Sequence, residues 1–236
     1  MSMVYLIRHG QASFGHDDYD RLSDLGVRQA RILAGFLYDC GLKPNAVYSG
    51  NMRRQVATAQ EVIDFFRDSG SPWPGLVRSS AFDEYDTNAI VAAMFPAMAA
   101  EDPSLADDLK RMFSSKDSFK RVFESAMLRW VHGFPVPETV ETWEGLLSRV
   151  MEGISSIRRG HPRGSTVVVF TSGGPIAASL AGVLGISGEA SMRLNWQIVN
   201  TSITRFMYNE ERVTLAGFNV ISHLELAGDP SLVTYR

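Results

Sequence analysis

Thr166-Val167-Val168-Val169-Phe170-Thr171-Ser172-Gly173-Gly174-Pro175 is the stretch on which the reading of the fold turns. The run from Thr166 to Phe170 is β-branched with an aromatic end, the clearest strand of the chain. Ser172-Gly173-Gly174-Pro175 then opens a helix, with proline near its first position. The same succession recurs outward from it. Val4 to Ile7 reads as a second strand, buried on both faces. A helical pattern follows from Leu22 to Leu42, with Ser23 as N-cap, Leu25, Ala30, Leu33, Ala34 and Leu37 at helical intervals, and Gly41 as the stop. Ala46 to Tyr48 reads as a strand, Met52 to Phe66 as a helix, and Leu76 to Arg78 as a further strand. A helix runs on from Glu141 through Ile154, and Ile203–Tyr208 with Val213–Phe218 form a closing pair around Asn209 to Glu211.

Alternating strands and helices predict an α/β, three-layer sandwich: a central, mostly parallel sheet with helices on both faces. Residues 86–137 break the pattern. They are rich in Ala, Met, Phe and charge, with proline at 96, 103, 135 and 137. They predict two or three short helices inserted into the domain as a cap, where Met94, Phe95, Met98, Met112, Phe113, Phe119 and Phe123 line either a pocket or a small core. The 236 residues are read as one domain spanning 1–236.

Composition sets limits on function. Lys plus Arg is 23 and Asp plus Glu is 26, a formal net charge of −3. That gives no basic field for a nucleic-acid backbone or an anionic membrane, so neither is an expected partner. One cysteine, Cys40, excludes an internal disulfide; it is read as a packed thiol at a helix end, and a reducing cytoplasm is the expected location. The N-terminus lacks the features of a signal sequence, and no window reaches the roughly 20 apolar residues of a membrane helix. Oligomeric state is not legible.

In such folds, ligands bind beyond the carboxyl ends of the strands. The polar residues at those ends are Arg8 and His9, Ser49 to Arg54, Asp83 and Glu84, and Thr171 to Gly174. Arg8 and Arg54 bring planar cationic forks that match phosphate oxygens. His9 is a nucleophile near neutral pH, and Glu84 can give and take a proton. Gly10, Gly173 and Gly174 let backbone N–H groups approach an anion, the latter two at a helix start. Together these are parts for phosphoryl transfer that requires no metal and no cofactor. Taken singly, each has an ordinary reading: a surface Arg-His pair, a solvated Arg53-Arg54, an unremarked Glu84.

Several stretches share a resemblance. Leu6-Ile7-Arg8-His9-Gly10-Gln11-Ala12 resembles the Arg-His-Gly signature of the histidine phosphatase superfamily, whose best-known branch is the phosphoglycerate mutases. Leu22-Ser23-Asp24-Leu25-Gly26-Val27-Arg28-Gln29-Ala30 is similar to that family's Leu-Thr-x-x-Gly-x-x-Gln-Ala helix start. Ser49-Gly50-Asn51-Met52-Arg53-Arg54-Gln55-Val56-Ala57-Thr58-Ala59 resembles its Ser-Ser-Pro-Leu-x-Arg-Ala-x-x-Thr-Ala segment, which selects Arg54 over Arg53. Phe82-Asp83-Glu84 resembles its Leu-x-Glu, Glu141-Thr142-Trp143 to Arg149-Val150 its Glu-Ser helix with Arg-Val, and Asn219 to Leu224 its Asn…His-Leu ending. Only 86–137 is unmatched.

The resemblance implies catalytic His9, Glu84, Arg8 and Arg54, with phosphate held by Arg8, Arg54, Gly10, Ser172 and Gly173. His9 attacks phosphorus and becomes a phosphohistidine; Glu84 protonates the leaving oxygen and later activates water. The implied substrate is a small phosphorylated molecule or a phosphoprotein. Mutase-type phosphotransfer and a catalytically impaired phosphoester-binding protein are the alternatives.

Ser172 stands where the family carries a second histidine. Exchanging a charged donor for a neutral one costs roughly 1–2 kcal/mol, or about 5- to 30-fold in rate. Ser172→His is accordingly expected to raise the rate. His16, His132, His161 and His223 are the remaining histidines; His223 is read as structural, and His16 and His161 as surface residues. A serine hydrolase is not supported, since Phe170 occupies the first glycine position of a Gly-x-Ser-x-Gly elbow.

Overall fold

The protein is described from a computed structural model covering residues 1–13, 20–111 and 114–235. Six strands form one sheet: β1 (Ser2–Arg8), β2 (Ala46–Ser49), β3 (Leu76–Arg78), β4 (Thr166–Thr171), β5 (Ile203–Tyr208) and β6 (Val213–Val220), in the order β3-β2-β4-β1-β5-β6. β3, β2, β4 and β1 pair in parallel, and only β5 runs against its neighbours. The carboxyl ends of β1 and β4 therefore lie side by side, with Arg8 in register with Thr171. The expected three-layer α/β sandwich is the observed architecture.

Alternate side chains of the central strands feed two cores. Ile7, Val47, Val168 and Phe170 pack with Leu33, Ala34 and Leu37 of α1 (Asp24–Asp39) and Ala59, Val62 and Phe66 of α2 (Arg53–Asp68). Val4, Leu6, Val167 and Val169 point the other way. They pack with Leu146, Val150 and Ile154 of α6 (Trp143–Gly160) and Ile176 and Leu180 of α7 (Gly173–Leu184). The uninterrupted apolar run in β4 is thus a strand covered on both faces. Ser23 caps α1 by accepting the Gly26 N–H at 3.0 Å, and Gly41 ends the segment at φ 66°.

The irregular region folds as α3 (Thr87–Glu101), α4 (Ser104–Arg111) and α5 (Lys116–Val131). Met94 and Met98 are buried with Val122, Met127 and Trp130 in the same apolar cluster as Leu6 and Val169, so these methionines are core rather than pocket lining. Phe119 and Phe123 stack at 5.6 Å. Met112 and Phe113 lie outside the described residues. Two helices have no counterpart in the sequence reading: α8 (Gly188–Asn195), capped by Ser187, and α9 (Ser222–Leu226). Cys40 corrects its expectation. It follows the last residue of α1, at the C-cap position, and is exposed. Among the described residues, no helix is long and apolar enough to cross a membrane.

Candidate active site

His9 follows the last residue of β1, and its backbone is pinned from three sides. Its N–H donates to Thr171 O at 2.9 Å, its carbonyl accepts from Asn200 Nδ2 at 3.0 Å, and the preceding Arg8 carbonyl accepts from Thr201 N at 3.0 Å. The ring is only 4% exposed. Its Nδ1 lies 2.7 Å from Gly10 O. A carbonyl can only accept, so Nδ1 carries the hydrogen and Nε2 presents a lone pair. That lone pair accepts from Arg54 Nε at 3.1 Å. Burial, and then the charges of Arg54 and Arg8, hold the His9 pKa well below 6.5, against a smaller opposing effect of the Gly10 carbonyl. His9 is a neutral imidazole with its Nε2 lone pair against a guanidinium.

Arg54 sits in the first turn of α2 and is 7% exposed. Its Nη1 pairs with Asp20 Oδ1 at 2.8 Å, while Asp20 Oδ2 accepts the Arg53 N–H at 2.8 Å. Asp20 thus serves the start of α2 as an acceptor and orients the arginine at the same time. The sequence reading missed it, because nothing in the sequence around Asp20 signals that it meets α2. Thr58, one turn on, accepts from Gly10 N at 3.0 Å and donates to Arg54 O at 2.7 Å. The Gly10 amide thus donates to Thr58, and the Gly10 carbonyl lies against His9 Nδ1. Arg8 donates from Nη1 to Ile198 O and from Nη2 to Tyr235 O, the latter at 2.9 Å.

Glu84 leaves the short helical turn Ser80–Phe82 and meets the start of α7. Its carboxyl accepts Gly174 N at 3.1 and 3.3 Å and Tyr85 N at 3.3 Å. A Cβ on Gly174 would overlap Glu84 Oε1, so this approach needs glycine. Burial raises the Glu84 pKa, opposed in order by Arg54, the Gly174 N–H, Arg8 and the Tyr85 N–H. Arg8 and Arg54 therefore act on both His9 and Glu84, which places the four groups in one electrostatic environment.

The loop carrying Glu84 is stapled from behind. Arg149 Nη1 donates to Ser80 O, Ala81 O and Asp83 O at 2.7, 3.1 and 3.1 Å, and Glu141 holds the same guanidinium through two 2.8 Å bonds. Asp83 turns away from the site and binds Asn51 N and Nδ2 at 2.5 and 3.1 Å. Ser172, the residue before α7, is fully buried, and its Oγ accepts from Gln55 Nε2 at 2.8 Å. Gly173 is the first residue of α7, beside Asn195.

The described histidines other than His9 pair elsewhere. Thr201 donates its hydroxyl to Asn200 O at 2.6 Å, so His223 Nε2, 3.0 Å away, is the donor to Thr201 Oγ1. Burial takes the His223 pKa down to about 4. Its ring supports the segment that pins β1. His132 meets Glu189 at 3.3 Å, and His161 meets Tyr48 OH at 3.1 Å rather than standing merely exposed. His16 lies outside the described residues. Among the described residues, no group of three or more His, Cys, Asp or Glu is arranged to hold a metal ion.

Comparison with known proteins follows the same lines. No curated protein matches the chain. Its fold resembles that of a phosphoserine phosphatase variant from Entamoeba histolytica in complex with phosphoserine, at 19% identity and TM-score 0.63, covering 95% of this chain and 100% of that one. It also resembles a phosphoglycerate mutase from Bacillus anthracis, at 18% identity and TM-score 0.66 over 97% of each chain. A mycobacterial glucosyl-3-phosphoglycerate phosphatase with bound VO3 is similar at 19% identity and TM-score 0.65, covering 93% and 99%. The sequence profile of the histidine phosphatase superfamily (branch 1) matches residues 4–77 and 84–221, spanning β1 with His9, α2 with Arg54, the Glu84 loop and the start of α7, and the chain belongs to that superfamily.

Proposed function

We propose that the protein hydrolyses phosphomonoesters without a metal ion, through a phosphohistidine on His9. The observation that carries this reading is the neutral His9 tautomer, with Nε2 facing Arg54 and Nδ1 tied to Gly10 O. In the first step, Nε2 bonds to phosphorus as the P–O ester bond breaks, and the Glu84 proton passes to the leaving oxygen. In the second, water attacks phosphorus and gives its proton to Glu84 while the P–N bond breaks, returning both residues to their starting states. Arg8 and Arg54 neutralise the phosphoryl oxygens, whose charge is shared over both transition states. Similarity to a phosphoserine phosphatase, a sugar-linked phosphoglycerate phosphatase and a phosphoglycerate mutase supports a phosphorylated metabolite or phosphoprotein as substrate. We read residues 1–236 as one domain in which 86–137 form a helical cap over this pocket. Tyr85, next to Glu84, packs on Trp130 of α5 at 4.8 Å and supports that placement.

The pH profile tests the assignment. His9 works deprotonated and its pKa is lowered; Glu84 starts protonated and its pKa is raised. The rate with p-nitrophenyl phosphate is expected to rise as His9 loses its proton, peak on the acid side of neutral, and fall as Glu84 loses its own. Glu84→Gln should abolish the alkaline fall, because no carboxyl group remains to ionise at that position. A profile that is flat from pH 4 to 9, or unchanged in Glu84→Gln, contradicts the roles.

A further inference from the structure

Three departures from the superfamily's pattern meet at one point. The family segment Ser-Ser-Pro-Leu-x-Arg-Ala has Gly50 at its second serine and Gln55 at its alanine, and Ser172 replaces the second histidine. Gln55 neighbours both of the others: Gly50 five residues before it and Ser172 117 residues after it. Gln55 is fully buried; its Nε2 donates to Ser172 Oγ at 2.8 Å and to Phe82 O at 3.1 Å, and its Oε1 accepts from Met52 N at 3.3 Å. A Cβ on Gly50 would overlap Gln55 Oε1 and come within 2.7 Å of Phe82 O and 2.8 Å of Asp83 Oδ1. The glutamine thus needs glycine at 50.

We propose that Gly50, Gln55 and Ser172 are one coupled unit. In it the Gln55 amide fills the space of the second imidazole and fixes the Ser172 hydroxyl at the start of α7. Ser172 is fully buried, with the Gln55 N–H on one lone pair of its Oγ. Gln55 is a positioning residue, because it acts through Ser172. It also holds Phe82 O, shared with Thr171 Oγ1 at 2.7 Å, so it braces the turn that leads to Glu84. The inference rests on the phosphatase reading of this pocket.

The coupling reverses the simple expectation for Ser172→His. An imidazole at 172 extends beyond the present Oγ position, into the Gln55 amide 2.8 Å away. Steady-state rates with p-nitrophenyl phosphate are to be compared for wild type, Ser172→His, Gln55→Ala and the double variant. Ser172→His alone is expected to lose at least about tenfold, and adding Gln55→Ala to it to recover at least about tenfold, a sign reversal that independent sites do not give. The double variant should also gain a titration in the histidine range that the wild-type pH profile lacks. A structural arm needs no activity. Gly50→Ser should lower the melting temperature in both backgrounds, since Phe82 O and Asp83 Oδ1 still meet the added Cβ, but by about 3 °C less alongside Gln55→Ala.

A rate gain from Ser172→His alone, effects that simply multiply, or equal destabilisation by Gly50→Ser in both backgrounds would each overturn the unit. If wild type shows no His9-dependent turnover, the phosphatase reading fails on its own. The same four proteins then report coupling through their affinity for inorganic phosphate by calorimetry, where the same reversal supports the unit and independent effects overturn it.

Discussion

Replacing His9 with alanine is expected to lower turnover of p-nitrophenyl phosphate by at least about 10³-fold, to the level of the uncatalysed background. The size follows from chemistry that nothing nearby can replace. Alanine leaves two guanidiniums and a carboxylic acid around an empty volume, with no atom able to bond to phosphorus. Thr201 and Asn200 pin the chain through backbone carbonyls, so the fold should survive the change. Circular dichroism and the melting temperature check that it does. Wild-type turnover should withstand excess chelator. Residual activity within tenfold of wild type in a folded His9→Ala protein would remove His9 from the reaction.

Arg54→Ala is expected to cost about 10²- to 10³-fold in kcat, the usual loss when one preorganised donor to a developing anion is removed. Arg54 has two further tasks, which distinguish it from a general phosphate anchor. It donates to Nε2 of His9, and its charge helps hold that imidazole neutral. Its loss should move the acid limb of the pH profile toward higher pH, since a lowering influence on the His9 pKa is gone. It also leaves the Asp20 carboxylate without its 2.8 Å partner. Arg54→Lys keeps the charge but not the planar fork, so it should recover only part of the rate. A change confined to KM, with kcat and the acid limb unmoved, would make Arg54 a binding residue only.

Most of the sheet was readable because its central strands are buried on both faces and carry unbroken apolar runs, as Val167 to Phe170 do. The long helices were readable from periodicity, and the first of them from its serine cap. Short helices were harder. Ser222–Leu226 spans barely more than one turn and gives no period to detect. The chemical groups of the site were visible because Arg8 and His9 lie at the end of β1, Arg54 opens α2 and Ser172 precedes α7, while Glu84, beyond a short helical turn, was marked by its family-like segment. What holds them was not. Asp20 reaches Arg54 across the fold, and Gln55 reaches Ser172 over a separation of 117 residues. Such contacts follow from tertiary placement, and no local pattern encodes them. Cys40 was misplaced because it lies at the C-cap, past Leu37, the last buried position of the α1 stripe. The bond from the Gly10 amide to Thr58 is a contact of the same tertiary kind as those of Asp20 and Gln55.

The most direct measurement is rapid chemical quench with a ³²P-labelled phosphomonoester, followed by mapping of the labelled peptide. Turnover through His9 should leave label on the peptide containing His9, stable to alkali and lost in acid, and absent from the His9→Ala protein. Hydrolysis with no trapped label under single-turnover conditions, or with label on another peptide, would contradict the phosphohistidine at the centre of this mechanism.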